Sequence, residues 1–354
     1  MSAVGTVRVI LVGFGHVGRT LAPLLAGGYG RDAARPGPSF TVTAIITKRH
    51  GALVDPGGID LGQALAKLRQ DPAAALGPAA AAVDVIRNTP GDIVVELSSL
   101  DIIASGQPAV AHIEAALESG KHVVSANKGP IAFDYHRLRQ LAEKRRRLLL
   151  FESAVMDGTP VLNMARHCLR GCRVLGFRGI LNSTTNFILG EVERGEDAGG
   201  ALAIAQRRGF AETDPTLDVD GWDAAAKTAI LVNVLMGGRI TPRAVERRGI
   251  SDLAPEAVRA AVAGGERVKL VCAAWRDAGG ADGAGDAGGI SARVAPARVP
   301  SSDMLYHADG RTMMVTLRTD LMGEVTVVEH DPDLTQTAYG VLNDLLEVAD
   351  HLDR

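Results

Sequence analysis

Three features that define other classes of protein are scarce in this sequence of 354 residues. It has only three cysteines, which are too few for a disulfide framework and indicate a reducing compartment. The formal net charge is only −3, so we expect no nucleic-acid partner and no binding to an anionic membrane surface. No apolar run is long enough to span a membrane, and the N-terminus lacks the pattern of a secretory signal. These absences predict a cytoplasmic protein.

The composition and the order of predicted elements indicate an α/β protein with two domains. Hydrophobic residues make up 46% and charged residues 22% of the chain, which is ordinary for a globular protein with a sizeable core. Strands and helices alternate over residues 1–150, which predicts a Rossmann-type, doubly wound parallel sheet that binds a dinucleotide. Residues 151–325 mix helices with antiparallel strands and are predicted to form an α+β domain. The last segment, 326–354, ends in a helix that we expect to return to the first domain.

A glycine-rich turn near the N-terminus is the first candidate binding site. The apolar strand TVRVILV at 6–12 runs directly into GFGHVG at 13–18, and a short helix follows. In this context the glycines let the backbone approach a pyrophosphate, and the helix N-terminus offers N–H groups and a positive dipole end. A glycine-rich loop without a ligand is the alternative, which the flanking strand and helix disfavour. The predicted cofactor-binding residues of this turn are Gly13, Phe14, Gly15, His16, Val17 and Gly18.

The end of the second predicted strand bears on the choice between NAD and NADP. NAD-specific folds place an acidic residue here, where it binds the ribose 2′-hydroxyl. The strand FTVTAIIT at 40–47 is followed instead by Lys48 and Arg49, two cations that suit a 2′-phosphate. A surface turn with ordinary charges is the alternative. We therefore expect NADP as the cofactor, with NAD as the second choice.

Polar residues follow two further strands of the predicted sheet. DIVVELSSL at 92–100 reads as a buried strand that ends in Ser98 and Ser99, and the next strand ends at Asn127 and Lys128. Because ligands bind at the carboxyl ends of strands in such sheets, these side chains are candidates for the cofactor cleft. The spacing leaves open whether Lys128 points into the cleft or is a solvated loop lysine.

The most unusual segment of the second domain is GFAETDPTLDVDGWDAAAKTAILVN at 209–233. It begins as a turn-rich loop and becomes an alanine-rich helix, on which Asp223 and Lys227 share one face. One interpretation is an exposed helix pair that stabilises the helix by roughly 0.3 kcal/mol. The apolar residues around the pair favour the other, in which a lysine among carboxylates positions an amino-bearing substrate and relays a proton. The five carboxylates of the segment are Glu212, Asp214, Asp218, Asp220 and Asp223.

The same segment carries a resemblance to a known family. From Ala205 to Lys227 the chain resembles, without a break, the signature of homoserine dehydrogenase. Four further stretches resemble that family in the same order, so the resemblance covers nearly the whole chain. They are GFGHVG at 13–18, SANKGPIA at 125–132, FESAV at 151–155 and GILNSTTNFIL at 179–189.

The resemblance implies NAD(P)-dependent interconversion of L-homoserine and L-aspartate 4-semialdehyde, on the route from aspartate to threonine, methionine and isoleucine. Reduction of the aldehyde takes hydride from the nicotinamide and a proton for the forming alkoxide. A cation near that oxygen stabilises the developing negative charge. The chemistry therefore agrees with a lysine that is held among carboxylates.

The resemblance also implies roles for individual residues. Lys227 is the implied proton donor and acceptor at the substrate oxygen, Lys128 lies near the reacting carbon, and Asp223 orients Lys227. The implied substrate-binding residues are Glu212, Asp218 and Thr184. Besides the glycine turn, the resemblance implies Lys48 or Arg49, Lys128 and Gly340 as cofactor-binding residues, and Ser98 and Ser99 join them because of their position at the end of a strand.

Two segments depart from the family pattern. Family members often bind a monovalent cation such as sodium through backbone carbonyls after the FE motif, and here that segment reads VMDGTP, with fewer glycines than is common. The glycine-rich stretch before the last helix is replaced by EHDPDLTQTAYG, in which Gly340 is the position carried over. The implied cation-binding residues are Glu152, Val155, Asp157 and Thr159.

The resemblance carries two expectations about assembly and regulation. The family is usually dimeric through its middle domain, so residues 151–325 are implied to form a catalytic and dimerisation domain of a homodimer. Many relatives continue into a regulatory ACT domain that senses threonine, and this sequence ends after the last predicted helix. We therefore expect no threonine inhibition through an ACT domain.

Two other functions fit parts of the pattern. An acylating semialdehyde dehydrogenase needs a cysteine nucleophile, and no cysteine lies near Ser125–Lys128 or Glu212–Lys227 in the sequence. A catalytically inactive NADP-binding sensor is expected to have lost at least one of the implied catalytic side chains. Lys128, Glu212, Asp223 and Lys227 are all present, which disfavours the sensor.

Overall fold

The structure, a computed structural model, describes residues 6–28, 37–211, 213–277 and 289–352. The chain folds as two compact units, Met1–Pro160 together with Asp333–Arg354, and Val161–Pro332. The divisions expected from the sequence were after residues 150 and 325. Residue 325 lies inside a strand, Glu324–Glu329, which is hydrogen-bonded into the sheet of the second unit, so the second unit extends further.

A mainly parallel sheet forms the centre of the first unit. Its strands are β1 (Thr6–Val12), β2 (Ser39–Thr47), β3 (Gly51–Val54), β4 (Ile93–Glu96), β5 (His122–Ser125) and β6 (Leu149–Leu150). They lie in the order β3-β2-β1-β4-β5-β6, and all neighbours are parallel except β2 and β3, which form a hairpin. The strand order reverses at β1, which is the point where ligands bind in doubly wound sheets. The predicted Rossmann-type sheet is confirmed.

Helices cover both faces of this sheet. They are α1 (His16–Pro23), α2 (Leu61–Gln70), α3 (Ala82–Asn88), α4 (Ala109–Glu118), α5 (Lys128–Arg145) and the C-terminal α12 (Leu334–Leu352). A π-helical turn, Leu24–Gly28, continues α1, and a 3₁₀ turn, Glu152–Ala154, follows β6.

Burial of β1 on both faces explains its near-continuous apolar sequence. Val9 and Leu11 pack in one cluster with Leu345 of α12, whereas Ile10 and Val12 pack in another cluster with residues of α4. Burying one such side chain contributes roughly 1.5–3 kcal/mol. The C-terminal helix is therefore part of the core of the first unit, although it comes from the far end of the chain.

An antiparallel sheet forms the centre of the second unit. Its strands are β7 (Val174–Ile180), β8 (Glu246–Arg247), β9 (Glu266–Arg276), β10 (Ile290–Pro300), β11 (Met313–Thr319) and β12 (Glu324–Glu329). They lie in the order β12-β11-β7-β9-β10-β8, with the short β8 parallel to β10. The α+β architecture predicted for this part of the chain is confirmed.

Helices and short helical turns complete the second unit. The helices are α6 (Val161–Cys168), α7 (Ser183–Glu193), α8 (Ala198–Arg207), α9 (Thr216–Val219), α10 (Trp222–Leu235) and α11 (Pro255–Ala263). The 3₁₀ turns are Pro242–Ala244 and Met304–His307. Within the described ranges, no helix combines the length and the hydrophobicity needed to cross a bilayer.

The helix α10 is buried along most of its length. Every residue from Asp223 to Asn233 is buried, and the helix packs against β9 and β10. A helix that is apolar or small on all sides is expected to be covered on all sides. Asp223 and Lys227 therefore do not form an exposed surface pair, and that interpretation of the sequence is wrong.

Candidate active site

The three glycines of the turn after β1 have different surroundings. Gly13 has φ +100°, and a Cβ there would lie 2.7 Å from the carbonyl carbon of Leu97. A Cβ on Gly18 would lie 3.0 Å from the carbonyl oxygen of Gly13, so glycine lets α1 approach the turn closely. Among the described residues, no atom lies within 4 Å of the position that a Cβ on Gly15 would take. The fold itself accounts for glycine at residues 13 and 18, and the open space at Gly15 fits a dinucleotide pyrophosphate.

The N-terminus of α1 adjoins this turn. Gly15 is the N-cap residue, and no side chain caps the helix. The helix therefore presents backbone N–H groups and the positive end of its dipole beside Gly15, where they attract an anionic group. The side chain of Phe14 lies in the core, so that only its backbone is available to a ligand. Its carbonyl oxygen accepts a hydrogen bond from Arg19 Nε at 3.1 Å. His16 is exposed and Val17 is half-buried.

Lys48 and Arg49 lie in the turn between β2 and β3, and both residues are exposed. The hydroxyl oxygen of Thr47 closes this turn by accepting a hydrogen bond from His50 N at 2.7 Å. Because β1 and β2 are parallel neighbours, their carboxyl ends lie at the same edge of the sheet. Two cations are thus available at the edge that carries the glycine turn.

Side chains at the ends of β4 and β5 are joined by hydrogen bonds. Asn127 Nδ2 donates to Ser98 Oγ at 3.1 Å and to the carbonyl of Ser99 at 3.3 Å. Asn127 Oδ1 accepts from Gly129 N at 2.8 Å and so caps α5, whose first residue is Lys128. Lys128 is half-buried in the first turn of a helix, so it is not a solvated loop lysine.

Gly340, the position carried over near the C-terminus, lies where α12 packs closely against the segment after β6. A Cβ on Gly340 would lie 2.4 Å from Ser153 Oγ and 2.8 Å from the carbonyl oxygen of Asp157. Asp157 has φ +44°, and its carboxylate accepts a hydrogen bond from Thr337 Oγ1 at 2.8 Å. Helix packing therefore explains the glycine, and a contact between Gly340 and the cofactor stays a prediction.

The implied cation-binding residues Glu152, Val155, Asp157 and Thr159 lie in that same segment. The backbone N–H of Glu152 donates to Asp344 Oδ2 at 2.9 Å, which ties the segment to α12. Among the described residues, no three His, Cys, Asp or Glu side chains come together as a metal site. A cation in this segment would therefore depend on backbone carbonyl oxygens.

In the second unit, Lys227 and Asp223 form a buried ion pair on α10. Lys227 Nζ lies 3.2 Å from Asp223 Oδ2, and only 7% and 9% of the two residues are exposed. Lys227 Nζ also donates to the carbonyl of Leu181 at 2.6 Å, and Met313 Sδ lies 3.9 Å away. Because burial removes hydration from each charge, such a pair is retained only with further hydrogen bonds. The ammonium group is therefore held in one place.

Asn182 connects this ion pair to the acidic loop. Its Nδ2 donates to Asp223 Oδ2 at 2.9 Å and to Asp218 Oδ1 at 2.7 Å. Its Oδ1 accepts from Thr185 N at 2.8 Å, so Asn182 is also the N-cap of α7. Two carboxylates that would repel each other are thereby bridged by one amide. Asn182 was absent from the predicted site, although an Asn directly before a helix is a recognised N-cap signal.

Only part of the acidic segment contributes to this cluster. Asp214 accepts hydrogen bonds from the hydroxyl and the backbone of Thr216, which lower the pKa of its carboxyl group and shape the start of α9. Asp220 accepts from the Ser251 hydroxyl and anchors the loop after α9. Asp218 and Asp223 are the two that meet at Asn182. Glu212 lies outside the described residues.

Thr184 anchors the chain that leads into the acidic loop. It is buried in α7, and its hydroxyl donates to the carbonyl of Phe210 at 3.4 Å. The Phe210 ring packs edge-on against Phe187, with ring centroids 4.8 Å apart, and the Arg311 guanidinium lies 4.9 Å from its centroid. Phe210 is therefore held by contacts with α7 and with Arg311.

A cysteine that is distant in sequence lies close to Lys227 in the structure. Cys272 of β9 is fully buried beside Leu181 and Thr228. Burial raises the pKa of its thiol to about 11, although the hydrogen bond with Thr228 opposes the rise. A protonated, inaccessible thiol is a poor nucleophile. The argument against an acylating dehydrogenase therefore holds in the structure as well, because the cysteine that packs near Lys227 is buried and protonated.

Comparison with known proteins identifies the family. Residues 13–152 match the model of the homoserine dehydrogenase NAD-binding domain, and residues 160–346 match that of homoserine dehydrogenase. The NAD⁺-dependent homoserine dehydrogenase of Pseudomonas canavaninivorans is 34% identical over 346 residues, which are 96% of each chain. The homoserine dehydrogenase of Methanocaldococcus jannaschii is 35% identical over 347 residues, which are 96% of this chain and 98% of that one. The chain belongs to the homoserine dehydrogenase family.

A solved homoserine dehydrogenase has the same fold. The enzyme of a hyperthermophilic archaeon in complex with NADPH superposes with a TM-score of 0.80, at 27% identity and with 98% of each chain covered. As a homoserine dehydrogenase family member, the chain is an NAD(P)-dependent oxidoreductase that acts on a CH–OH group. The family assignment made from the sequence motifs is confirmed.

Within each unit, the structure brings some of the predicted residues together and adds others. In the first unit, Ser98 and Ser99 meet the cap of the helix that begins with Lys128. In the second unit, Lys227, Asp223 and Asp218 form one cluster through Asn182. The role of the Asn182 amide follows from tertiary packing and could not be read from the spacing of residues in the sequence.

Proposed function

We propose that this chain interconverts L-homoserine and L-aspartate 4-semialdehyde, with NADP preferred over NAD, in the aspartate-derived pathway to threonine, methionine and isoleucine. The observation that carries the proposal is the buried cluster of Lys227, Asp223, Asn182 and Asp218. It holds one ammonium group and two carboxylates in fixed positions. The substrate carries a hydroxyl on the carbon that reacts and an amino group on another carbon. Binding it requires a cation near the hydroxyl and carboxylates near the amino group.

Lys227 gives a proton to the substrate oxygen during aldehyde reduction and takes it back during homoserine oxidation. The nicotinamide, when bound, supplies or accepts the hydride. Asp223, at 3.2 Å, and the Leu181 carbonyl, at 2.6 Å, hold the ammonium group in place. A preorganised cation stabilises the developing alkoxide without reorganisation of solvent. Lys128 adds a second positive charge near the reacting carbon.

The substrate amino group is bound by carboxylates of the acidic loop. Asp218 is half-buried and oriented by Asn182, and Glu212 and Thr184 complete the proposed substrate site. A site that pairs a substrate ammonium with carboxylates rejects an analogue without the amino group, because its buried charges are then left unpaired. We therefore expect 4-carbon alcohols that lack an amino group to be poor substrates.

The cofactor binds along the carboxyl edge of the first sheet. Gly13 to Gly18 contact the pyrophosphate, Lys48 or Arg49 contacts the 2′-phosphate, and the remaining contacts come from Ser98, Ser99, Lys128 and Gly340. Replacing both cations in the variant Lys48→Ala/Arg49→Ala should weaken NADPH binding about tenfold or more and leave NADH binding unchanged. Equal weakening for both cofactors would contradict the assignment of the 2′-phosphate site.

Three further expectations concern assembly and ions. We expect a cytoplasmic homodimer formed through the second unit, and a monomeric mass in light scattering would reject the dimer. We also expect a monovalent cation such as sodium at the carbonyls of Glu152, Val155, Asp157 and Thr159, since oxygen donors suit a hard cation. Equal activity in sodium chloride and in tetramethylammonium chloride would argue against the cation.

The first experiment is homoserine-dependent reduction of NADP and of NAD by the wild type and by Lys227→Met. Methionine keeps the length of the side chain and removes its charge. We expect kcat to fall about 10²- to 10⁴-fold while the NADPH dissociation constant is unchanged. The control is Lys67→Met, at an exposed lysine of α2, which should retain full activity.

Two outcomes would contradict the proposal. If Lys227→Met kept near-wild-type kcat, Lys227 would not carry the proton. If the wild type bound NADPH but never oxidised homoserine, the chain would instead be a catalytically inactive NADP-binding sensor.

A further inference from the structure

A buried carboxylate of the first unit has no part in the chemistry proposed above. Glu96 is the last residue of β4 and is fully buried, although it lies at the edge of the sheet where ligands bind. A buried carboxylate is costly unless hydrogen bonds or a cation compensate it. Its hydrogen-bond partners therefore indicate what it does.

Within the described residues, three hydrogen bonds reach the side-chain carboxylate of Glu96. Its Oε1 accepts from the backbone N–H of Ser98 at 2.8 Å and also from the Ser98 hydroxyl. Its Oε2 lies 2.8 Å from Nδ1 of His112, which is itself buried on α4. A carboxylate can only accept, so the imidazole carries a proton on Nδ1. The Ser98 N–H, the Ser98 hydroxyl and the His112 imidazole thus all donate to the Glu96 carboxylate.

The hydrogen bonds continue from Ser98 to α5. Because the Ser98 hydroxyl donates to Glu96, its oxygen is left to accept, and Asn127 Nδ2 donates to it at 3.1 Å. The acceptor role of the Ser98 oxygen requires the N–H₂ end of the Asn127 amide to face Ser98. The amide oxygen of Asn127 then points to the other side and caps the first turn of α5. One unbroken chain of hydrogen bonds runs from His112 through Glu96, Ser98 and Asn127 to the turn that begins with Lys128.

We propose that Glu96 and His112 are positioning residues that set the orientation of Ser98 and of the helix turn bearing Lys128. The inference rests on the proposed function in so far as it assigns Lys128 to the reaction. The negative charge of Glu96 fixes the direction of each hydrogen bond in the chain. Glutamine at this position has the same shape but can present either its N–H₂ or its oxygen to Ser98, so that the direction is no longer dictated.

A double-mutant cycle tests this coupling. Glu96→Gln in the wild type should lower kcat about tenfold, because a charged hydrogen-bond partner of the positioning chain is lost. In a Lys128→Met background, Glu96→Gln should cause no further loss, since Glu96 acts through the turn that carries Lys128. The control, Glu118→Gln, removes an exposed carboxylate paired with Arg87 and should leave kcat unchanged in both backgrounds.

Amide hydrogen exchange in the cofactor-free protein gives a readout that does not depend on activity. Glu96→Gln should speed exchange of the Ser98 and Gly129 N–H groups about tenfold, because both depend on the chain, while Val9 and Leu11 in β1 stay protected. If Glu96→Gln does not fold, Ser98→Ala breaks the same chain and leaves the Glu96–His112 pair in place. It should then speed exchange at Gly129 by a similar factor.

The outcomes separate this inference from the proposed function. Equal losses of kcat in both backgrounds, or unchanged exchange at Gly129, would overturn the positioning role. A wild type that does not oxidise homoserine would reject the proposed function, and the exchange of Ser98 and Gly129 would then decide whether Glu96 orders this turn. Faster exchange throughout β1 would show general destabilisation and would also overturn the proposal.

Discussion

Asn182 Nδ2 lies 2.9 Å from Asp223 Oδ2, so the residue that caps α7 also holds the carboxylate that pairs with the lysine of α10. This relationship couples the start of one helix to the charged turn of another. It gives the carboxylate two partners, the amide and the Lys227 ammonium at 3.2 Å. The position of the ammonium group is therefore set by residues of two separate sequence motifs.

Replacing Asn182 should damage substrate turnover more than cofactor binding. Asn182→Ser keeps a side-chain oxygen that can cap α7 but is too short to bridge Asp218 and Asp223. We expect kcat/KM for homoserine to fall about tenfold to a hundredfold, because a hydrogen bond to each carboxylate is lost. Steady-state kinetics and NADPH fluorescence titration measure the two effects. Asn88→Ala, at an exposed residue of α3, is the control, and an equal loss of NADPH affinity in Asn182→Ser would contradict the prediction.

Alanine at two glycines of the first turn should separate folding from cofactor binding. Gly13→Ala should destabilise the protein by about 1–3 kcal/mol, because φ is +100° and the new Cβ would meet the backbone of Leu97. Gly15→Ala should leave the unfolding midpoint unchanged, because no atom of the part of the chain that the structure describes lies within 4 Å of the new Cβ. It should still weaken NADPH binding about tenfold or more, since that space is proposed to hold the pyrophosphate. Unchanged NADPH affinity in Gly15→Ala would place the pyrophosphate elsewhere.

The stability of the first unit should depend on pH through His122. This buried imidazole accepts a hydrogen bond from Leu148 N at 3.0 Å, and its pKa is lowered to about 4, chiefly by burial and then by Arg147 and His351. Unfolded histidine titrates near 6.5, so between pH 6.5 and pH 4 the unfolded chain binds the extra proton. Stability from this group is complete above pH 6.5 and is lost as the pH falls towards 4, by about 2 kcal/mol at pH 5.

Urea unfolding at pH 7 and at pH 5 measures that loss. His122→Asn keeps an acceptor for Leu148 N and cannot titrate, so it should lose about 2 kcal/mol less than the wild type on acidification. His330→Asn, at an exposed histidine, serves as the control and should behave like the wild type. Parallel pH profiles for the wild type and His122→Asn would contradict the prediction.

A fully buried lysine should give the second unit a dependence of the same sign at high pH. Lys269 Nζ donates to Asn186 Oδ1 at 3.0 Å and to the carbonyl of Ala308 at 2.6 Å. Its pKa is lowered to about 8, chiefly by burial and then by Arg267. Between pH 8 and 10.5 the unfolded lysine keeps a proton that the folded one loses, so stability from this group rises with pH in that range.

Comparison with Lys269→Met isolates this effect. Between pH 7.5 and pH 10 the wild type should gain roughly 2.5 kcal/mol relative to Lys269→Met, as measured by urea unfolding at the two pH values. Lys67→Met, at an exposed lysine, should show no such gain. A constant difference between the wild type and Lys269→Met over this range would show that the lysine does not change its charge on unfolding.

Local patterns predicted much of the fold and part of the site. The strand TVRVILV and the glycines after it predict a strand, a turn and a helix, because each depends on residues adjacent in the chain. The burial of β1 on both faces follows from its continuous apolar sequence in the same way. The extent of the second unit was less predictable, because strand pairing that includes residue 325 joins residues far apart in sequence.

The acidic segment shows where sequence patterns reach their limit. Five carboxylates are visible in it, but their separate uses are not. Asp214 and Asp220 bind nearby loop groups, whereas Asp218 and Asp223 meet at an asparagine 36 and 41 residues away in sequence. Hydrogen bonds of that kind depend on which helices pack together, and no spacing within the segment encodes them.

The sequence by itself determined the family, the mainly parallel sheet with its glycine turn, and the identity of the charged residues at the ends of strands and helices. Those features depend on local geometry and on motifs that are continuous in the chain. The tertiary structure alone decided that Asn182 bridges two carboxylates, that Cys272 lies buried near Lys227, and that Glu96 and His112 support the turn bearing Lys128. The physical reason is that burial and hydrogen-bond geometry arise only when distant segments pack against each other.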